Sequence, residues 1–361
     1  MQKSFYEYTQ EATDGGEIGV MNFRFQTLDI LRFIAALGVV LFHIDGSQGN
    51  WIGSLYLCVD LFFVLSGFVL EPAYPKRRNS REMSKFIFRR FARLAPMVYS
   101  TLFFSVAYFL LIELRNFLKQ GEDGANLDMS FTSILLSLLL LQIFSSQSLL
   151  FNYPMWSLST EWIVNVFLLF PLSSKRRTAN ALLLLLLGLA PQVINLFSKQ
   201  PEILIQLSRC LTGIIAGIIL RRVFDSKNLQ FSRKTFLMLS SALLLGTFVV
   251  INSSMYVAPM VSVIPFTILV FSLASCEQSK SLRCPKSVSY WAGALSFGVY
   301  AWHVPLAGIV DRYVPEEFLS NAFLGTLTLT VFSCLAGFTV TKLIEIPVQS
   351  YIRKRERTEL G

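Results

Sequence analysis

Long apolar segments, almost without charge, constrain the fold of this chain more than any other feature of its sequence. Examples cover residues 179–196, 236–251 and 322–341. A helix needs about 20 such residues to cross the hydrocarbon core of a bilayer. Only 15% of the 361 residues are charged and 53% are hydrophobic, whereas about a quarter of the residues are charged in a soluble globular chain. The sequence therefore predicts an all-α, polytopic transmembrane helix bundle.

The distribution of basic residues predicts how many of these segments cross the membrane. The apolar segments cover residues 27–45, 52–71, 94–113, 131–149, 156–172, 179–197, 203–220, 236–252, 257–275, 288–309 and 322–343. Basic clusters lie between or after them, at 76–93, 175–177, 221–234, 280–286 and 353–357. If the Ser-rich segment 131–149 does not cross the membrane, all of these clusters lie on the same side of the membrane as the N-terminus. The positive-inside rule thus favours about ten spans with both termini cytoplasmic, and segment 131–149 is predicted to be re-entrant or buried within the bundle.

The predicted organisation is one membrane domain between two short tails. A polar cytoplasmic tail covers residues 1–24, the transmembrane domain covers 25–348 and a basic cytoplasmic tail covers 349–361. The net charge of +9 is that of a chain whose Lys and Arg set topology, so we expect membrane lipids as partners and no nucleic acid. The five scattered cysteines have no metal-ligand or disulfide spacing, and no metal site is expected.

Ionisable residues inside the predicted spans are the candidates for function, because such groups are costly in a bilayer and usually face a cavity or a partner. Both histidines of the chain lie inside spans. On the predicted topology, five ionisable groups from five helices share one depth near the outer face; they are His43, Asp60, Glu161, Arg209 and His303. A single buried histidine is often only a packed, hydrogen-bonded residue. The convergence of five groups instead predicts a catalytic site.

A second group of charges is predicted near the cytoplasmic side. Arg32 lies 11 residues before His43, which is about 16 Å along a helix axis. Arg89, Arg90 and Arg93 directly precede the third span. Guanidinium groups bind phosphate at two points, so these arginines predict a site for a phosphate-bearing cytoplasmic ligand. The alternative is that they anchor helix ends beside the lipid headgroups.

The chain resembles the acyltransferase 3 family of membrane acyltransferases in six motifs. They occur in the family's order between residues 26 and 354, and they read LDILRFIAALGVVLFH (28–43), DLFFVLSGF (60–68), RRFARLAP (89–96), WSLSTEW (156–162), SFGVYAWHVP (296–305) and EIPVQSYIRK (345–354). Each motif alone is moderately specific, and together they are a strong indication. The chain resembles the stand-alone members of the family, which lack a fused extracytoplasmic hydrolase-like domain.

The resemblance implies an activity and a location. The family transfers an acyl group, commonly acetyl, from a cytoplasmic coenzyme A thioester to a hydroxyl of an extracytoplasmic carbohydrate, such as exopolysaccharide, lipopolysaccharide or peptidoglycan. Acetyl-CoA would then be the donor substrate, with no metal, in a multi-pass protein of the inner (plasma) membrane. By motif, His43 would be the essential histidine and Arg32 its partner, while Arg90 and Arg93 would form the R-x-x-R signature of the donor site.

Transfer of an acyl group to a hydroxyl needs a base for the hydroxyl proton and donors for the thioester oxyanion. We expect neutral His43 to be that base, oriented by the carboxylate of Glu161 or Asp60. His303 or Arg209 would stabilise the oxyanion or hold the sugar. A covalent acyl-histidine is a possible variant of the same chemistry.

Trp156 is a candidate for stacking on a sugar face, with an ordinary anchor at the membrane interface as the alternative. A transporter of a small polar or lipid-linked substrate is the main rival function, because intramembrane His, Glu and Arg also build proton relays. It predicts inverted repeats with broken helices at matching positions, which the sequence does not contain. The identity of the acceptor, the length of the acyl group and the oligomeric state are left open.

Overall fold

The computed structural model describes residues 24–45, 51–119, 131–145, 152–226, 240–241, 243, 258–280, 282, 284–313 and 322–358. Within these ranges all regular structure is helical, which confirms the predicted all-α bundle. The helices are α1 (Gln26–Asp45), α2 (Cys58–Leu70), α3 (Ser80–Lys119), α4 (Phe131–Leu138), α5 (Trp156–Leu172), α6 (Arg177–Ile194), α7 (Glu202–Ser226), α8 (Ala258–Gln278), α9 (Lys286–Tyr313), α10 (Ala322–Val340) and α11 (Ile346–Thr358). A π-helical turn over Thr341–Glu345 joins α10 to α11.

Nine helices in the described ranges are long and apolar enough to cross a membrane. They correspond to nine of the ten predicted spans. The remaining span, over 236–252, lies outside the described residues apart from 240–241 and 243, as does the predicted tail up to residue 23. The chain is therefore a multi-pass membrane protein.

The segment over 131–149 does not cross as a helix in its described part. Helix α4 has 8 residues, about 12 Å, which is far shorter than the bilayer core. The chain then turns at Leu140, which is fully buried and has the left-handed φ of 58°. Ser159 of α5 stabilises this turn, because its hydroxyl donates to the Leu140 carbonyl at 2.9 Å and accepts from the Ile143 N–H at 3.3 Å. This short segment is packed on α5, as expected.

Glycines allow α2 and α7 to pack with their backbones in contact. A Cβ added at Gly67 would collide with the backbone of Ile214, and one at Gly217 would collide with the carbonyl of Val64. Small residues at such crossings permit close helix packing inside a membrane. The contact brings Asp60, near the start of α2, opposite Arg209 of α7.

A carboxylate from a distant part of the chain fixes the start of α1. The first backbone N–H groups of a helix have no partner within it. Glu277, near the end of α8, accepts hydrogen bonds from the N–H groups of Gln26 and Thr27 at 2.7 and 2.8 Å, and from the Thr27 hydroxyl at 2.7 Å. The negative charge also suits the positive end of the helix dipole. Helix α1 carries two of the predicted site residues, so this cap helps to set their positions.

Candidate active site

His43 and His303 lie side by side, near the end of α1 and within α9. Their ring centroids are 4.9 Å apart, and Nε2 of His303 lies 3.3 Å from Nδ1 of His43. The Nδ1 of His43 bonds to the carbonyl of Val39, and the Nδ1 of His303 bonds to the carbonyl of Tyr300, each at 2.8 Å. His303 is completely buried, whereas His43 is exposed. The accessible imidazole of His43 is thus in contact with the buried imidazole of His303.

Asp60 is bound to Arg209 at two points. The Nε of Arg209 donates to Oδ1 at 3.1 Å and its Nη2 donates to Oδ2 at 2.6 Å. The pair is buried, since the side chains of Asp60 and Arg209 are 1% and 12% exposed. The guanidinium also lies over the rings of Tyr56 and Trp156, 5.5 and 5.6 Å from their centroids. In the described contacts Asp60 therefore orients Arg209 and not His43.

Trp156 begins α5 and packs within this group. Its ring lies under the Arg209 guanidinium and meets Phe63 edge-on at 6.3 Å. Guanidinium over indole is a favourable cation–π arrangement. One face of Trp156 is thus covered, so a sugar stacking on this residue would have to use the other face or displace Arg209.

A cavity of about 130 Å³ lies between α1, α2, α3, α5 and α9. Its charged lining consists of Arg32, Arg90, Arg93 and Glu161, and we refer to it as the arginine cavity. Three guanidinium groups against one carboxylate give this lining a formal net charge of +2. Phe62 and Phe297 contribute apolar walls. The cavity therefore suits an anionic group attached to an apolar arm.

Glu161 belongs to the arginine cavity and not to the histidine pair. Its Oε1 accepts short hydrogen bonds from the Nη2 of Arg90 and from the hydroxyl of Ser66. The expectation that Glu161 shares a layer with His43 and is separate from Arg90 is therefore wrong. The physical reason is position along α5: Glu161 lies five residues beyond Trp156, about 7 Å deeper along the axis, which is the depth that Arg90 reaches from α3.

The predicted arginines differ in what they contact. In the described part of the chain, neither Arg32 nor Arg93 has a hydrogen-bonded or ion-paired partner, although both line the cavity. Arg90 is held by Glu161. Arg89 is exposed and is absent from the cavity lining. The structure thus brings three of the four predicted phosphate-binding residues together and leaves the fourth outside.

Tyr300 lies between the arginine cavity and the histidine pair. Its hydroxyl donates to the carbonyl of Pro154 at 2.6 Å and shares a hydrogen bond with Ser157 at 2.6 Å. Both Ser157 and Tyr300 line the cavity, while His43 and His303 do not. The backbone carbonyl of the same Tyr300 holds His303. The arginine cavity and the histidine pair are therefore both in contact with Tyr300.

Sequence reasoning missed the hydroxyl residues Ser66, Ser157 and Tyr300. All three lie inside the quoted motifs, but serine and tyrosine carry no charge that would single them out in an apolar helix. The one available signal was spacing: Ser157 and Glu161 are four residues apart, so a helix places them on one face.

Comparison with known proteins identifies a family and several relatives of this chain. The family described as "Acyltransferase domain" (acyltransferase 3) matches residues 25–344. "Protein 2 in picA locus" of Rhizobium radiobacter is 35% identical over 39% of this chain and 79% of its own length. "Putative peptidoglycan O-acetyltransferase YrhL" of Bacillus subtilis (strain 168) is 26% identical over 90% of this chain but only 54% of its own length. "Putative O-acetyltransferase SACOL0978" of Staphylococcus aureus (strain COL) is 31% identical over 27% of this chain and 16% of its own length. No solved structure matches.

The polytopic helix bundle brings one exposed and one buried imidazole into contact beside an arginine-lined cavity, and this arrangement is consistent with a membrane enzyme of the group-transfer class. The family match covers most of the chain, and the chain belongs to the acyltransferase 3 family. It is an acyltransferase.

Proposed function

We propose that this enzyme moves an acetyl group from cytoplasmic acetyl-CoA to a hydroxyl of an extracytoplasmic carbohydrate. The relatives named as O-acetyltransferases support acetyl as the acyl group and oxygen as the acceptor atom. The observation that carries the proposal is the arrangement of the arginine cavity and the histidine pair. They meet at Tyr300, and α1 contributes Arg32 to one and His43 to the other.

The orientation in the membrane follows from charge. Basic clusters at 76–93, 175–177 and 353–357 lie on the side of the bundle to which the starts of α1 and α3 belong. Lys and Arg collect on the cytoplasmic side of membrane proteins. The arginine cavity is then the cytoplasmic end of the site, the histidine pair is the extracytoplasmic end, and both termini are cytoplasmic in the plasma membrane.

The arginine cavity is the proposed site for the donor. Arg32 and Arg93, which have no hydrogen-bonded or ion-paired partner among the described residues, would bind phosphate oxygens of coenzyme A. The apolar walls from Phe62 and Phe297 would accompany the pantetheine arm. The thioester would then point towards Tyr300 and the imidazoles beyond it.

The histidine pair is the proposed site of proton transfer. The Nε2 of His43 would take the proton of the acceptor hydroxyl as its oxygen attacks the thioester carbon. The new C–O bond replaces the C–S bond, and the proton passes from His43 to the coenzyme A thiolate. Arg209, fixed by Asp60 and flanked by Tyr56 and Trp156, would contact the incoming carbohydrate.

Sealed membrane vesicles test the proposal. Radiolabelled acetyl-CoA is supplied to inverted vesicles, whose cytoplasmic face is outside, and to right-side-out vesicles. We expect label in the enclosed glycan only for the inverted vesicles. The His43→Ala variant, inserted at a normal level, should give no labelled glycan. Equal labelling by this variant, or labelling only from the other face, would contradict the proposal. Mass spectrometry of envelope glycans with and without the gene then identifies the acceptor by its lost acetyl mass.

A further inference from the structure

The hydrogen bonds of the two imidazoles fix which ring nitrogen of each carries a proton. A carbonyl oxygen only accepts, so the contacts at 2.8 Å to the carbonyls of Val39 and Tyr300 require a proton on Nδ1 of His43 and on Nδ1 of His303. In the neutral rings both Nε2 atoms are then unprotonated. The Nε2 of His303, 3.3 Å from Nδ1 of His43, is therefore an acceptor that shares the His43 proton with Val39.

The direction of this bond leaves one nitrogen of the pair able to react. The Nε2 of His303 is turned to its neighbour, and this side chain is 0% exposed. Among the described residues, the Nε2 of His43 has no hydrogen-bonded partner, and its ring is exposed. His303 is not among the residues that line the arginine cavity. It can reach neither an oxyanion nor a sugar directly, so the predicted direct roles for His303 do not fit its placement.

We propose that His303 is a positioning residue that, together with the Val39 carbonyl, holds His43 in the tautomer and ring orientation needed for a base. Enzymes commonly use a carboxylate for this purpose, and both candidate carboxylates are occupied elsewhere: Asp60 binds Arg209 and Glu161 binds Arg90. In this chain a neutral imidazole takes the carboxylate's place. The inference rests on the proposed function, because it assigns a task to the neighbour of the proposed base.

The arrangement also suits the charged state of His43. When the acceptor O–H bond breaks, its proton forms an N–H bond on Nε2 and His43 becomes an imidazolium. Its Nδ1–H then donates a charge-assisted bond to the lone pair of His303, and such bonds are stronger than neutral ones. When the proton leaves for the coenzyme A thiolate, the neutral pair is restored. His303 neither gains nor loses a proton in this cycle.

Three substitutions at one position separate this role from packing. Glutamine can place an amide oxygen where Nε2 of the imidazole lies. Asparagine has the same amide on a shorter side chain, and methionine has a similar length without a strong acceptor. His303→Gln should keep kcat within a few-fold of wild type. His303→Asn and His303→Met should lower kcat about 10- to 100-fold, by analogy with the loss seen when the partner that orients a metal-bound histidine is removed. The KM for acetyl-CoA should not change in any of them.

The experiment measures kcat and KM of acyl transfer for purified variants of equal thermal stability. The His43→Ala variant distinguishes failure of the proposed function from failure of the positioning role of His303. If His43→Ala is active, the proposed function fails. If His43→Ala is inactive while His303→Met keeps the wild-type kcat, only the positioning role fails. Equal losses of kcat in the Gln and Met variants would also overturn it, because a hydrogen-bond acceptor at position 303 would then make no difference.

Discussion

The carboxylate of Glu161 is hydrogen-bonded to the guanidinium of Arg90, and both groups face the cavity that Arg32 and Arg93 also line. This ion pair neutralises one of the three cationic side chains of the cavity. Within the cavity lining, the remaining positive charge lies on Arg32 and Arg93. Phosphate binding is then expected chiefly at these two residues, with Arg90 as a fixed part of the wall.

Replacing Arg93 or Arg32 with alanine should weaken binding of acetyl-CoA. A hydrogen bond to a charged group is worth about 1.5–3 kcal/mol, and each 1.4 kcal/mol is about tenfold in affinity. We expect each variant to raise the KM for acetyl-CoA about 10- to 100-fold, with a smaller change in kcat. Initial rates over a range of donor concentrations measure both.

Arg89 provides the matched control for these variants. It is adjacent to Arg90 in sequence but is exposed and outside the cavity lining. Arg89→Ala should leave the KM for acetyl-CoA within about twofold, as for most surface substitutions. A rise in KM as large as that of Arg93→Ala would show that the donor phosphates lie at the bundle surface instead of in the cavity.

Glu161→Gln distinguishes the structural assignment of Glu161 from the sequence-based one. If Glu161 oriented His43, its replacement would lower kcat and leave the KM for acetyl-CoA unchanged. If Glu161 is the partner of Arg90, its replacement frees the Arg90 guanidinium inside the arginine cavity and removes a negative charge there. We expect the KM for acetyl-CoA to change and kcat to stay within about tenfold, a shift of less than 1.4 kcal/mol in the barrier. The opposite pattern would restore the earlier assignment.

The sequence was sufficient to predict the membrane-spanning helices, but it was not sufficient to predict which charged side chains form pairs. Apolar segment length and the placement of Lys and Arg predicted the nine spans that the described residues contain, because both follow directly from bilayer thickness and topology. The short packed segment around Leu140 was also predicted from its polarity and from the charge balance. These are properties of single segments, and no knowledge of neighbouring helices is needed to find them.

Pairing depends on how helices rotate and slide against one another, which hydropathy does not encode. The five ionisable groups expected at one depth divide into the His43–His303 contact, the Asp60–Arg209 pair and a third group in which Glu161 meets Arg90. The backbone contact at Gly67 and Gly217 sets the register of α2 on α7. That register, and with it the partner of Asp60, becomes visible only in three dimensions.

Asp60 and Arg209 should behave as one unit. Removing one partner of a buried pair leaves an unpaired charge and costs about 3–5 kcal/mol. Asp60→Ala and Arg209→Ala should therefore each lower the melting temperature in detergent strongly, and the double variant should lose less than the sum. A double-mutant cycle on thermal stability and kcat should give a coupling of about 1–3 kcal/mol. Additive losses would indicate that the two residues act independently.

The cap on α1 makes Glu277 important for stability at a distance from the site. Glu277→Ala removes acceptors for two backbone N–H groups and one hydroxyl, and loss of a helix cap costs about 0.5–2 kcal/mol. We expect a lower melting temperature and reduced activity that glutamine at this position partly restores. Glu82→Ala, at an exposed position in the first turn of α3, is the control: it removes a negative charge near a helix start but no described capping hydrogen bond, so it should lower the melting temperature less than Glu277→Ala. Equal melting of the Glu277 and Glu82 variants would refute the cap's contribution.

Tyr300 should limit the length of the acyl group. Tyr300 lines the arginine cavity, its backbone carbonyl contacts His303, and its hydroxyl is fixed by Pro154 and Ser157. If the thioester points towards the histidines, as proposed, the acyl chain meets the Tyr300 ring. Tyr300→Ala removes that volume and opens space for further methylene groups, each worth about 0.8 kcal/mol when buried, or about fourfold in kcat/KM.

The ratio of kcat/KM for butyryl-CoA to that for acetyl-CoA measures this effect without depending on the total amount of active enzyme. The ratio should rise about 16-fold in Tyr300→Ala, since two methylene groups gain contact at about fourfold each. Tyr300→Phe keeps the ring and loses only the hydroxyl, so its ratio should match wild type even if its rate falls. A rise in both variants would assign selectivity to the hydrogen bonds with Pro154 and Ser157. An unchanged ratio in Tyr300→Ala would mean that the acyl group does not lie against this wall, and that the donor enters the site from another direction.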